Sequence, residues 1–262
     1  MGRLMKKKQA SRALLQRVDL YLVLLRRIRH QQDEQTIHDF RVASRNLLAL
    51  FPLFPPQARP KRWKRQVNRR LHNLNRLRDL HALKGRMPNA SIALDMDIAL
   101  ALGGLASSDD KKRLRRRLQR ELRHSGRIAA RFIRKHPEEF MRMLQAEWFR
   151  IHVSLFKRLC EADGKQPRSL HKLRVAYKSF RYLVSYMYDA GELLLLDQKQ
   201  VKYWQDMLGE IQDSQFTLAW LAEHRQSGKA FARHISGQSI RQGQGFIRRR
   251  RRFRRFIEGL VW

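Results

Sequence analysis

Apolar residues recur along this chain at spacings of three and four rather than in alternation, a pattern that predicts an all-α protein. The first helix is expected from about Ser11, a fitting N-cap, to His30, with Leu14, Leu15, Val18, Leu22, Leu25 and Ile28 along one face. A second begins near Thr36 and stops before Pro52, and a third lies between Pro60 and Gly85, with Pro88 closing the region. Residues 88–108 are apolar, contain Gly103 and Gly104, and read as a short helix and loop packed on the outside. A strongly basic helix from about Asp109 to Lys135 ends at His136-Pro137, because the residue before a proline is pushed out of helical geometry. Past that break the pattern starts again, with helices from Pro137 to Glu161, Ser169 to Ala190, Asp197 to His224 and Ser239 to Leu260.

Four helices, a break and four helices invite a search for a duplication. His38-Asp39-Phe40-Arg41-Val42-Ala43-Ser44-Arg45 aligns with His171-Lys172-Leu173-Arg174-Val175-Ala176-Tyr177-Lys178, 133 residues further on. Leu74-Asn75-Arg76-Leu77-Arg78-Asp79 aligns with Leu208-Gly209-Glu210-Ile211-Gln212-Asp213 at an offset of 134. Two matches at nearly one offset predict a first four-helix half over 1–135 and a second over 136–262. The halves are expected to be two four-helix bundles about a pseudo-twofold axis, lining one basic central groove or pore.

On a helix, spacings of three and four stack side chains, so His38, Arg41 and Arg45 form a polar stripe roughly 10 Å long. His171, Arg174, Lys178 and Arg181 form the matching one. Phe40, Leu47, Leu48 and Phe51, with Leu173, Val175, Phe180 and Leu183, point elsewhere and can supply the core. Stacked like charges destabilise an isolated helix by about 0.2–0.5 kcal/mol per pair. One such stripe alone reads most simply as a solvated face; two in equivalent places favour a shared anionic occupant.

The theme continues in Arg62, Arg65, Arg69, His72 and Arg76, and in Arg113, Arg116, Arg120, His124, Arg127, Arg131 and Arg134. Near the C-terminus, Phe246, Phe253, Phe256, Ile257 and Leu260 mark a core face, leaving Arg248, Arg251, Arg252 and Arg255 on other sides. Those aromatics give the run Arg248 to Arg252 helical periodicity, so we read an amphipathic helix rather than a disordered tail. Asp79 and Asp213, acids in basic surroundings, suit the orientation of a facing Arg or His.

Composition sharpens this. Over 262 residues, 57 Lys plus Arg face 23 Asp plus Glu, a net charge of +34, and 43% apolar residues suffice for a core. Arginine makes up 41 of the 57, and its planar fork fits phosphate oxygens two at a time. A single cysteine, Cys160, excludes an intrachain disulfide and a multi-cysteine zinc site and fits a reducing, cytoplasmic setting. Arg17 and Asp19 interrupt the first apolar stretch, so no signal peptide is read. The longest apolar region, Ala90 to Ala106, holds Asp95 and Asp97 and is too short to span a membrane.

Taken in order, His38-x-x-Arg41-Val42, Leu77-Arg78-Asp79, His171-x-x-Arg174-Val175 with Lys178 and Arg181-Tyr182, and Leu208-Gly209 followed by Asp213 resemble the CHAD domain, the conserved histidine α-helical domain. The likeness spans nearly the whole chain, as a single CHAD-like domain. It implies two four-helix bundles with a basic central surface that binds inorganic polyphosphate without catalysis, no cofactor and no metal, and attachment to polyphosphate granules. His38, Arg41, Arg45, His171, Arg174, Lys178 and Arg181 are then central ligands. Arg62, Arg65, Arg69, Arg76, Arg116, Arg120, Lys202, Arg248 and Arg252 complete the candidate set. The sequence departs from the family pattern at Asn46 and Leu48, where arginines are usual, and at Leu74-Asn75, which replaces Leu-Gly.

Charge alone equally supports RNA or DNA as partner, the secondary reading. Against it, there is no zinc-finger spacing, no aromatic RNA-binding strand and no recognition-helix signature, and Trp63, Tyr177 and Trp204 lie at core spacing. A phosphate-processing enzyme using His38, His171 or a metal is the third reading. No P-loop, His-Glu-x-x-His or Glu-x-Glu-x-Lys motif supports it.

Overall fold

A computed structural model of the chain describes residues 6–86, 92–107, 112–163, 166–191, 197–223 and 229–259. The expectations placed on Pro88, His224 and Leu260, and on the side chain of Arg113, lie outside the described residues. Among those described the protein is all-α, with nine α-helices, two short 3-10 turns and no strand. The helices are α1 (Lys7–Arg27), α2 (Glu34–Ala49), α3 (Lys61–Arg86), α4 (Ile92–Ser107), α5 (Lys112–Lys135), α6 (Pro137–Cys160), α7 (Pro167–Asp189), α8 (Gln198–Glu223) and α9 (Lys229–Glu258). The break at His136-Pro137 stands where expected, but five helices rather than four precede it. The extra one is α4, a 16-residue helix laid on α3, with Leu94 fully buried and Met96 and Leu100 exposed.

Two compact units make up the chain, and α6 and α7 contribute residues to both. In the first unit (residues 1–147 and 182–194), α1 packs against α2 and α5, and α3 packs against α2, α4 and α5. Tyr21 of α1 joins the core, its ring 5.4 Å from Phe40 and 5.5 Å edge-on from Trp63. Burial pushes its hydroxyl up to about 12. Gly126 lets α5 approach α1, since a Cβ there would stand 3.2 Å from Val18. Ser11, expected as the N-cap of α1, sits inside the helix with its hydroxyl donating to the Lys8 carbonyl, because the helix starts a turn earlier at Lys7. Arg17 is buried and donates to Asp189 at 2.7 Å, and Gly191 then closes α7 with φ of 78°.

The second unit (148–181 and 195–262) is built around aromatic rings. Phe253 of α9 lies 4.5 Å from Trp204 and 5.5 Å from Tyr177, and Phe180 lies 5.6 Å from Trp148. The Tyr177 hydroxyl donates to the Val201 carbonyl, and the His152 ring reaches the Ile257 carbonyl at 2.8 Å. Val175, expected to help the core, is 45% exposed: it sits one position beyond Arg174, off the Leu173–Tyr177–Phe180 face. Helix α9 starts ten residues before the expected Ser239, carried by burial of Ile235 despite its glycines.

Candidate functional site

The first copy of the repeated motif begins at a well-made helix start. Asp33 caps α2, accepting from the Thr36 backbone N–H and hydroxyl, both at 2.8 Å, and these bonds hold its carboxyl below the usual range. From that fixed start the three-and-four spacing turns His38 outward, half-buries Arg45 and carries Arg41 inward until only 7% of it is exposed. Facing them is Asn75 of α3. Its side-chain carbonyl accepts from Arg41 Nη2 at 3.1 Å and from Arg45 Nη2 at 3.0 Å.

One turn further along α3, Arg78 pairs with Asp79 at 2.5 Å. Burial pushes the Arg41 guanidinium down to about 10; the charges of Arg78 and Arg45 push the same way, and Asp79 and Tyr182 pull weakly back. The guanidiniums of Arg41, Arg45 and Arg78 thus lie close enough to act on one another, with the Asp79 carboxylate paired to Arg78. The Nε atoms of Arg41 and Arg45 are buried with no hydrogen-bond partner. An unmet buried donor costs about 1–3 kcal/mol, so the cluster is held short of full satisfaction. Asp79, expected to orient a facing Arg or His, pairs instead with its neighbour Arg78 on the same helix and acts on Arg41 only through charge.

On α3, Arg62, Arg65, Arg69, His72 and Arg76 are all exposed, and so are Arg116, Arg120, His124, Arg127, Arg131 and Arg134 on α5. The apolar side of α5, with Leu118, Leu122, Ala129, Ala130 and Ile133, is buried. Each helix therefore shows water a basic stripe, while Glu121 accepts from the Arg62 backbone N–H.

The second copy sits differently in its own unit. His171 of α7 is exposed, and its Nδ1 lies 2.5 Å from Gln212 Oε1 on α8. An amide carbonyl can only accept, so Nδ1 is the donor of this bond. Arg174, Lys178 and Arg181 are half-buried on the same helix, and Lys202 of α8 is exposed. Asp213 accepts the Thr217 hydroxyl through its backbone carbonyl.

The arginine run of α9 divides by role. Arg250 donates to the Cys160 carbonyl at the end of α6 at 2.6 Å, Arg254 pairs with Glu258, and Arg248, Arg251, Arg252 and Arg255 are exposed. Arg248 also borders a cavity of about 920 Å3 walled by Leu218, Ile240 and Ile247.

Sequence reading missed Asn75 and Gln212, both of which address the motif from a neighbouring helix. The signal was present for each: Asn75 stands where the second copy has Gly209, and Gln212 immediately precedes Asp213. Among the described residues no group of three or more His, Cys, Asp or Glu is placed to hold a metal ion, and no helix is long and apolar enough to cross a membrane.

Comparison with known proteins completes this description. The family model described as CHAD domain matches residues 12–222. The crystal structure of the CHAD domain from the plant Ricinus communis is similar in fold, with a TM-score of 0.65 and 18% identity, covering 99% of this chain and 93% of that one. No curated protein matches the sequence.

Proposed function

Because the chain belongs to the CHAD-domain family, we propose that it is a non-catalytic binder of inorganic polyphosphate, held by the cationic faces of α2 and α7 and the exposed stripes of α3, α5 and α9. The observation that carries the proposal is the cluster in which Arg41 and Arg45 meet on the neutral Asn75 amide, with the Arg78–Asp79 pair one turn further along α3. Such a cluster is built to receive an anion: it keeps a positive surplus and leaves donors unmet. Polyphosphate has many anionic oxygens and no bases, and it suits a surface of forked donors with its large aromatics, Trp63, Tyr177 and Trp204, buried in the core. Amides address Arg41, Arg45 and His171, which fits holding an anion more than activating a nucleophile. Attachment to polyphosphate granules follows from this reading.

Changing His38, Arg41, His171 and Arg174 together to Ala and titrating polyphosphate by calorimetry tests it. Affinity is expected to collapse in a folded variant, and unaltered affinity would place the site elsewhere. For the wild type, binding should weaken steeply with salt as counterions are released. Displacement by duplex DNA or RNA at equal phosphate concentration would favour the nucleic-acid reading, and sustained release of phosphate from polyphosphate with Mg2+ would favour an enzyme.

A further inference from the structure

The two copies of the repeat differ at a position whose chemistry bears on charge. In the first copy Asn75 accepts one Nη2 hydrogen bond from each of Arg41 and Arg45; in the second the aligned residue is Gly209, which has no side chain to offer. A carboxylate at position 75 would hold the two arginines more strongly, since hydrogen bonds to ionised acceptors are about twice as strong as neutral ones. It would also cancel one of their charges. An amide gives the geometry and leaves the charge.

We propose that Asn75 is a neutral positioning residue for the anion site, its carbonyl gathering the Arg41 and Arg45 guanidiniums onto one point while leaving both charges for phosphate oxygens. The inference rests on the polyphosphate-binding reading and goes a step beyond it, to what keeps the site both ordered and cationic. A guanidinium has five N–H donors, so one bond to Asn75 leaves most of them for a ligand. Arg41, only 7% exposed, has a buried Nε without a partner, so nothing else in the protein has claimed its donors in full. The displaced ionisation of Arg41 agrees, because its charge is held against the preference of its surroundings. Stability and binding then pull in opposite directions at this residue. Asn75→Asp supplies the missing countercharge, so it should firm up the free protein while weakening its grip on polyphosphate. A merely structural Asn75 would lose stability on substitution without that inverse change in affinity.

The test titrates polyphosphate of one fixed length into wild type, Asn75→Asp, Asn75→Gly and the double variant Arg41→Ala/Arg45→Ala, with thermal unfolding and 15N NMR of the arginine guanidiniums on each. Asn75→Asp should lower affinity about tenfold, the scale of one charge-assisted hydrogen bond, and raise the unfolding temperature. Asn75→Gly should lower affinity severalfold and release the Arg41 and Arg45 Nη groups into fast rotation before any polyphosphate is added. Wild-type affinity in Asn75→Asp, or unchanged Nη signals in Asn75→Gly, overturns the assignment. Should Asn75→Asp not fold, Asn75→Gly and its NMR signature decide alone. The double variant separates the two levels: full affinity there sinks the reading of this face as the site, whereas loss there with full affinity in both Asn75 variants sinks only the role of Asn75.

Discussion

The helices α2 and α7 carry the same eight-residue pattern, yet the neighbouring helix meets it through an amide at a different place. In α2 the arginines are tethered: Arg41 is buried, Arg45 half-buried, and both donate to Asn75 on α3. In α7 the histidine is tethered, with exposed His171 donating to Gln212 on α8. The stripe recurs in both helices, and an amide on the neighbouring helix meets the arginines in one and the histidine in the other. The difference teaches that a repeated ligand motif is not a repeated site. The first copy gathers two arginines on one amide, and in the second an amide meets the exposed His171 ring.

The largest effect should come from removing the tethered arginines. Arg41→Ala with Arg45→Ala is expected to weaken polyphosphate binding about a hundredfold, since each charge-assisted bond is worth about 1.5–3 kcal/mol. Arg174→Ala with Lys178→Ala, measured by the same titration, should cost about tenfold, the worth of only one such bond. Equal losses would erase the asymmetry. Next comes Gln212→Leu, which removes the partner of His171 and leaves the ring free to turn. Its expected cost is about fivefold in affinity, the worth of one ordinary hydrogen bond of about 1 kcal/mol, with no effect in a His171→Ala background. A loss in that background as well would mean that Gln212 acts on something other than the ring.

How much of this was legible follows the range of the interactions. Helix periodicity and the His136-Pro137 break are local, and they placed eight of the described helices closely enough to align two repeats. Residues 92–107 could be read only as a short helix and loop and not as the full α4, because apolar residues go almost all the way round it, leaving no face for periodicity to mark. Exposure of the α3 and α5 stripes could be read from spacing, because a helix with one apolar side must turn the other to water. The near-complete burial of Arg41 could not, for the spacing within α2 only turns it further inward than Arg45. Its depth is set by α3, 34 residues away in the chain at Asn75. Arg17 makes the same point more strongly, since Asp189, its partner, is separated from it by 172 residues.

Acidification sharpens the comparison in a different quantity, stability. His81 on α3 is half-buried and its pKa lies below the ordinary histidine value, chiefly through burial, with Glu34 opposing and Lys84 assisting. A base with a lowered folded-state pKa binds fewer protons folded than unfolded. Stability is therefore fully present above the unfolded value near 6.5 and is lost as the pH falls through that value and the lower folded one. The aligned residue in the second copy is Gln215, which does not titrate. His81→Gln makes the first copy like the second here, and it should flatten the loss of unfolding temperature between about pH 7 and pH 5. An unchanged acid limb would assign that loss to other groups.

The smallest effect runs the exchange the other way. Gly209 lies inside α8, where a Cβ built on it meets nothing within 4 Å, so a side chain fits without displacing a neighbour. Gly209→Asn places an amide where the first copy has its clamp. Within a helix interior the change from glycine to asparagine is worth a few tenths of a kcal/mol, roughly the gap in their propensities. Thermal unfolding should therefore rise by a degree or so, on the order expected for a change of this size in a chain this long. Affinity should stay near the wild-type value, because a clamp acts only where arginines converge on it, as Arg41 and Arg45 do at Asn75. A gain in affinity comparable to the loss in Asn75→Gly would show instead that the amide alone makes the site, and that the two copies differ by one side chain rather than by the surroundings of the whole helix.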